Sequence, residues 1–189
     1  DDSTVETIAV TSGQVTGTGT AQITINPSSD FDSSTEYYVQ IAATGFDDSS
    51  GNSYAGITDK TSLSFTSTDT TAPSLSSSSP ADNATAVAVG GNIVLNFSEA
   101  VDVESGNIVI YKASDDSTVE TIAVTSSQVT GTGTTQITIN PSSDFDSSTE
   151  YYVQIAATGF DDSSGNSYAG ITDKTSLSFT SADTTAPSL

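Results

Sequence analysis

The chain contains no cysteine, histidine, methionine or tryptophan, and its only basic residues are Lys60, Lys112 and Lys174. Without cysteine and histidine there is no disulfide, no thiolate or imidazole nucleophile, and no zinc site built on nitrogen or sulfur. Three basic residues against 24 acidic ones leave a net charge of -21. A phosphate backbone requires clustered lysine and arginine for counterion release, so nucleic acid is excluded as a partner. The same field repels anionic lipid, and no apolar run is long enough to span a bilayer, which argues against direct membrane insertion. Stability without disulfides has to come from core size, and the surface, rich in serine, threonine, aspartate and glycine, suits an extracellular or cell-surface setting.

What the sequence does contain is a copy of itself. Residues 1–75 recur as residues 115–189, a shift of 114 positions, and only Gly13/Ser127, Ala21/Thr135 and Thr68/Ala182 differ. A period of that length is a whole domain, so the chain reads as a stretch of a tandem array. Residues 68–181 make one complete unit, 1–67 the back part of a preceding unit (strands D to G), and 182–189 a linker and the start of the next. Lacking strands A to C, residues 1–67 alone cannot close a core. Either a longer polypeptide or an adjacent chain exchanging strands would complete them, and the first is the expectation here.

Within the complete unit, apolar residues alternate with polar ones in short runs closed by Gly, Pro, Asn, Asp or Ser, which is strand periodicity. The runs predict strands A at 74–79, B at 92–98, C at 107–112, D at 119–124, E at 135–140, F at 150–156 and G at 175–180. A short extra strand is expected near 128–130. Ile93, Leu95 and Phe97 share one face of B, Ile137 and Ile139 one face of E, Tyr151, Val153 and Ile155 one face of F, and Leu177 and Phe179 one face of G. Seven strands with one apolar face each bury it by packing two sheets together. The predicted fold is therefore all-β, a tandem of immunoglobulin-like antiparallel β-sandwiches. Tyr151 is placed to make a tyrosine corner, its hydroxyl bonding back to the backbone, and Tyr152 should point outward.

The linker Asp69-Thr70-Thr71-Ala72-Pro73, the segments SSSSPADNATAV and NIVLNFSEAVD, and the loop FDDSSGNSYAG resemble bacterial Ig-like domains of the SbsA type. The resemblance spans the complete unit and both partial ones. It implies tandem modules of the kind found in S-layer proteins and very large surface adhesins, and it carries no single activity.

Strand order gathers acidic residues at the two ends of the unit. The linker end collects Asp69, Glu99, Asp102, Glu104, Asp161, Asp162 and Asn166; the far end collects Asp82, Asp115, Asp116, Asp144 and Asp146. In an array the far end of one unit would meet the linker end of the next, bringing Asp1, Asp2, Asp30 and Asp32 toward Asp69. Carboxylates at such density repel unless solvated or bridged, and calcium, which takes about six to eight oxygen ligands, is the natural bridge. A structural calcium is thus expected at the linker end. Asp69, Asp102, Asp161 and Asp162 are its first carboxylate candidates and Asn166 its neutral donor. The competing explanation is that Asp, Asn, Ser and Gly shape turns for backbone reasons alone. The DDSSGN stretch does not fit an EF-hand loop.

The function these features favour is a structural extender or stalk of a large bacterial surface protein, adhesin or filament, whose partners are neighbouring Ig-like repeats of the same or an adjacent chain in a filament or surface layer. The alternative is a glycan- or protein-binding surface module. For that, the sequence offers only Tyr111, Tyr152, Tyr168 and Phe160 as stacking aromatics. No acid/base pair stands out from the general abundance of aspartate, so no enzymatic activity is expected. No motif accompanies Lys112 and Asn96 that would join them in a Lys–Asn bond.

Overall fold

The computed structural model describes residues 2–188, and the chain divides into two units, Asp1–Asp69 and Thr70–Leu189. Among the described residues all regular structure is β, and no helix is long and apolar enough to cross a membrane.

The first unit carries four short strands, β1 (Val15–Thr16), β2 (Thr24–Ile25), β3 (Glu36–Tyr38) and β4 (Ser64–Thr66). They pair as two antiparallel ribbons, β1 with β2 and β3 with β4. The second unit carries ten: β5 (Leu75–Ser79), β6 (Ala84–Val87), β7 (Ile93–Val103), β8 (Asn107–Lys112), β9 (Thr118–Ala123), β10 (Val129–Thr130), β11 (Thr134–Ile139), β12 (Glu150–Ile155), β13 (Phe160–Asp161) and β14 (Ser178–Ser181). One sheet runs β10-β11-β7, with β5 and β13 both paired to β7; the other runs β6-β14-β12-β8-β9. This is the two-layer sandwich that the alternating faces call for.

The inward faces read from the sequence are the core. Ile93, Leu95, Phe97, Ile137, Ile139, Tyr151, Val153, Ile155, Leu177 and Phe179 are all buried, joined by Ile108 and Ile110 of β8 and Ile122 of β9. Two aromatic groups lie within it. Phe145, Tyr151 and Phe179 have ring centroids 4.8 to 5.7 Å apart. Phe97 lies 5.5 Å from Phe160 and 5.2 Å from Tyr168. The Tyr151 hydroxyl accepts the Asp146 amide at 2.8 Å, closing the expected corner, and Tyr37 accepts Asp32 at the same distance in the first unit.

Four expectations require correction. Strand B does not stop at residue 98: β7 continues to Val103, because β11 and β13 take over the pairing beyond Phe97. Strand G begins at Ser178 rather than 175, since Thr175 and Ser176 are held in a turn by the Asp173 carboxylate. Tyr152 lies on the outer face of its sheet but is only 3% exposed. It is covered by the Tyr111 ring stacked at 4.8 Å and by Lys174 Nζ at 5.6 Å, while its hydroxyl donates to Asp116. Tyr168 and Phe160, counted as surface aromatics, are core residues. Lys112 pairs with Asp146 at 2.6 Å from the end of β8, while Asn96 in the other sheet bonds Ser77 and Gln136, which excludes a Lys112–Asn96 bond.

Candidate metal centre

After β13 the chain turns through residues 162–166, with Gly165 at φ 85°, a left-handed conformation that disfavours a Cβ. Asp162 organises this turn. Its Oδ1 accepts the backbone amides of Ser164 and Asn166, each at 2.8 Å, and its Oδ2 accepts the Asn166 side-chain amide at 2.7 Å. Burial pushes this carboxyl's pKa up, but the Asn166 side chain and the amides of Asn166 and Ser164 outweigh it, so the net direction is down. Asp48 makes the same three bonds in the first unit, whose described residues include no counterpart of β7. The loop geometry is therefore encoded locally, as in an Asx turn.

Glu99 reaches this region by a break in pairing. Asn96 pairs with Gln136 and Val101 with Thr134, so residues 97–100 of β7 lie opposite the single residue 135 of β11. Such a bulge re-aims side chains, and Glu99 sits inside it. The incoming linker is tied to the same spot: Ser98 N–H donates to the Ser74 carbonyl at 2.9 Å, and Ser74 N–H to Ser98 Oγ at 3.0 Å. Asp69 closes the first unit, where it accepts the Ser33 hydroxyl at 2.8 Å. Within the second unit, carboxylate oxygens of Glu99 and Asp162 lie within 4.8 Å of each other. The donor set is all oxygen and carries two formal negative charges. It fits a hard cation such as calcium and offers nothing to a soft one.

The other residues of the second unit singled out in the sequence lie outside this pair. Asp102 and Asp161 sit directly opposite each other on β7 and β13. Asp102 accepts the Thr132 hydroxyl at 3.0 Å, whereas Asp161 Oδ1 is buried with no hydrogen-bond partner. Glu104 is exposed and its backbone amide donates to the Gly159 carbonyl. Asn166 stands beside the pair as the partner of Asp162.

At the far end four acidic residues have structural partners. Asp82 accepts the Ser178 amide at 2.9 Å, Asp115 accepts Ser117, Asp116 pairs with Lys174 at 2.5 Å and Asp146 with Lys112. In the first unit Asp2 pairs with Lys60 at 2.5 Å; Asp1 lies outside the described residues. Strand reading put Glu99 and Asp162 at the same end but did not count Glu99 among the first carboxylate candidates, since its approach to Asp162 depends on the bulge in β7.

The bacterial Ig-like domain family profile matches residues 2–67 and again 69–181. Among solved structures, CopC from Methylosinus trichosporium OB3b is similar at 15% identity, with 61% of this chain and 99% of that one covered and a TM-score of 0.41. PcoC, a copper resistance protein from Escherichia coli, is similar at 25% identity, with 57% of this chain and 98% of that one covered and a TM-score of 0.36. No curated protein matches.

Proposed function

The chain belongs to the bacterial Ig-like domain family, and from that premise we propose that it is an extender repeat of a large bacterial surface protein, adhesin or extracellular filament of SbsA type. The observation that carries this reading is the repeat itself, in which all but three of 75 aligned residues are identical. A ligand site is needed once, whereas a spacer needs the same mechanics in every copy. Antiparallel sheets provide them, with roughly 40 Å of length per unit at about 3.3 Å per strand residue plus loops. The partners in this reading are neighbouring repeats, and the setting is extracellular.

Calcium is the proposed structural ion. Glu99 and Asp162 would hold it, with Asn166 keeping Asp162 in position, and the ion would neutralise the charge they concentrate beside the linker. The chain has no histidine, cysteine or methionine, so copper, which the name of PcoC mentions, does not suit its donors. An enzymatic role is not proposed. The acidic residues placed above are mostly engaged in turns and ion pairs, and a depression of the second unit around Gly106, Val109, Gln154 and Thr172 is open to solvent. The glycan-binding reading loses its stacking platform: Phe160, Tyr152 and Tyr168 are buried, and Tyr111 is stacked on Tyr152.

Small-angle scattering on chains of two, four and six repeats tests the extender, whose maximum dimension should grow by a fixed increment per repeat; a dimension that stays level sinks it. Thermal melting in millimolar calcium against chelator tests the ion. The midpoint should rise with calcium and not with magnesium, and Glu99→Gln should abolish the rise. An unchanged midpoint removes calcium from the proposal and leaves the extender standing.

A further inference from the structure

Among the described residues β6 and β14 form the one parallel pair; the other strand pairings are antiparallel. In a parallel pair the N-terminal ends of the two strands lie side by side. A pull that reaches β6 from its N-terminal side and β14 from its C-terminal side therefore drags them in opposite directions along their own axes. The bonds between them are loaded together. An antiparallel pair pulled in this way would open from one end, a bond at a time.

The pair is anchored at both ends. Where it starts, Asn83 N–H donates to the Ser178 carbonyl at 2.8 Å, and Asp82 Oδ1 accepts the Ser178 amide at 2.9 Å and its hydroxyl at 3.1 Å. Where it finishes, Ala182 N–H donates to the Val87 carbonyl at 2.7 Å. Between these anchors Phe179 stands opposite Ala84 and Ser181 opposite Val87, so β6 carries one residue more than β14, with Ala86 at φ 56°. A strand with such a bulge fits its partner in one register, and sliding breaks pairs without forming equivalent ones. Ser178, Phe179 and Ser181 are buried, and Ala84 and Val87 pack against the core, which keeps water from competing for the bonds. β5 comes ahead of β6 in the chain but grips less. Its one apolar side chain is Leu75, and Ser76, Ser77 and Ser79 are exposed.

We infer that β6 and β14 are the load-bearing clamp of the second unit. When tension enters through the linker ahead of β5 and leaves through the residues after β14, β5 gives way first and the parallel pair then holds the sandwich closed. The inference rests on the extender reading for the source of the tension, and on the strand pairing alone for the response to it.

Single-molecule pulling at constant force on the full chain tests it. The chain has no cysteine of its own, so Ala72→Cys and Ser188→Cys give unique handles that load the second unit from its two ends. Asp82→Ala, which takes the acceptor from the Ser178 amide, should shorten the lifetime of the loaded unit by about 5-fold. Ser98→Ala takes the acceptor from the Ser74 amide beside β5 and should change that lifetime by less than about 2-fold. With the handles moved to Ser105→Cys and Thr125→Cys, which open the β8–β9 ribbon from one end, Asp82→Ala should also have an effect below about 2-fold. The inference is overturned if Asp82→Ala shortens the end-to-end lifetime no more than Ser98→Ala does. It is equally overturned if Asp82→Ala acts alike in both pulling directions, since the pair then stabilises the unit without bearing load. Scattering decides the extender separately, because here the force acts on one unit between fixed handles.

Discussion

Asp162 holds Asn166 twice, through the backbone amide at 2.8 Å and through the side-chain amide at 2.7 Å. Asp162→Ala leaves the Ser164 and Asn166 amides without the buried carboxylate that accepts them. The main melting transition should fall by about 5 °C. Asp48→Ala removes the same bonds from the first unit, which has no closed core, and should leave that transition in place. Scanning calorimetry on the two variants separates the outcomes; equal shifts would show that the loop does not depend on the core around it.

The Tyr151 hydroxyl serves a single recorded bond, from the Asp146 amide, while its ring packs against Phe145 and Phe179. Tyr151→Phe keeps the packing and removes the acceptor, so it should cost about 1–2 kcal/mol. Urea denaturation should show a lower midpoint with an unchanged slope, because the surface exposed on unfolding is the same. A change below about 0.3 kcal/mol would remove the corner from the list of stabilising features.

The inward faces of the strands were legible because period-2 alternation is local: Ile93, Leu95 and Phe97 declare their face within five residues. Tyr152 shows the limit of that signal. Its direction follows from alternation, but its burial comes from Tyr111 and Lys174, which reach it from other parts of the chain. β6 had no local signature either, since it forms by parallel pairing of Ala84 and Val87 with Phe179 and Ser181, far along the sequence. The position of Glu99 was hidden for the same reason. A bulge of residues 97–100 is a mismatch between two strands, and no single strand encodes it. The acidic ends themselves could be read from strand order; how near Glu99 comes to Asp162 could not.

Gly131 stands at φ 104°, and a Cβ built there would lie 2.0 Å from the Gln136 carbonyl oxygen. Gly133, two residues on, has φ 76° and no atom nearer than 3.7 Å to such a Cβ. Gly133→Ala should cost about 1–2 kcal/mol from backbone strain alone. Gly131→Ala should cost about 3 kcal/mol or more, since strain and a backbone clash combine where β10 turns into β11. Chemical denaturation of the pair measures the difference, and equal losses would mean that the turn yields to the clash.

Asp173 caps the turn before β14: its Oδ1 accepts the Thr175 amide at 2.7 Å and the Ser176 amide at 2.8 Å, and its Oδ2 accepts the Ser176 hydroxyl at 2.7 Å. The Ser176 hydroxyl and the Thr175 amide, with smaller help from Ser176 N–H and the Thr175 hydroxyl, lower its pKa from 3.8 to about 2. A carboxyl whose folded pKa lies below its unfolded one stabilises the fold fully above the unfolded value and loses that contribution as the pH falls through the folded one. The melting gap between the parent chain and Asp173→Asn should therefore be constant above about pH 5, narrow below pH 4 and vanish near pH 2. Melting curves of the two chains between pH 2 and pH 7 measure it. A gap that stays constant to pH 2 would mean that Asp173 holds this turn by shape and not by charge.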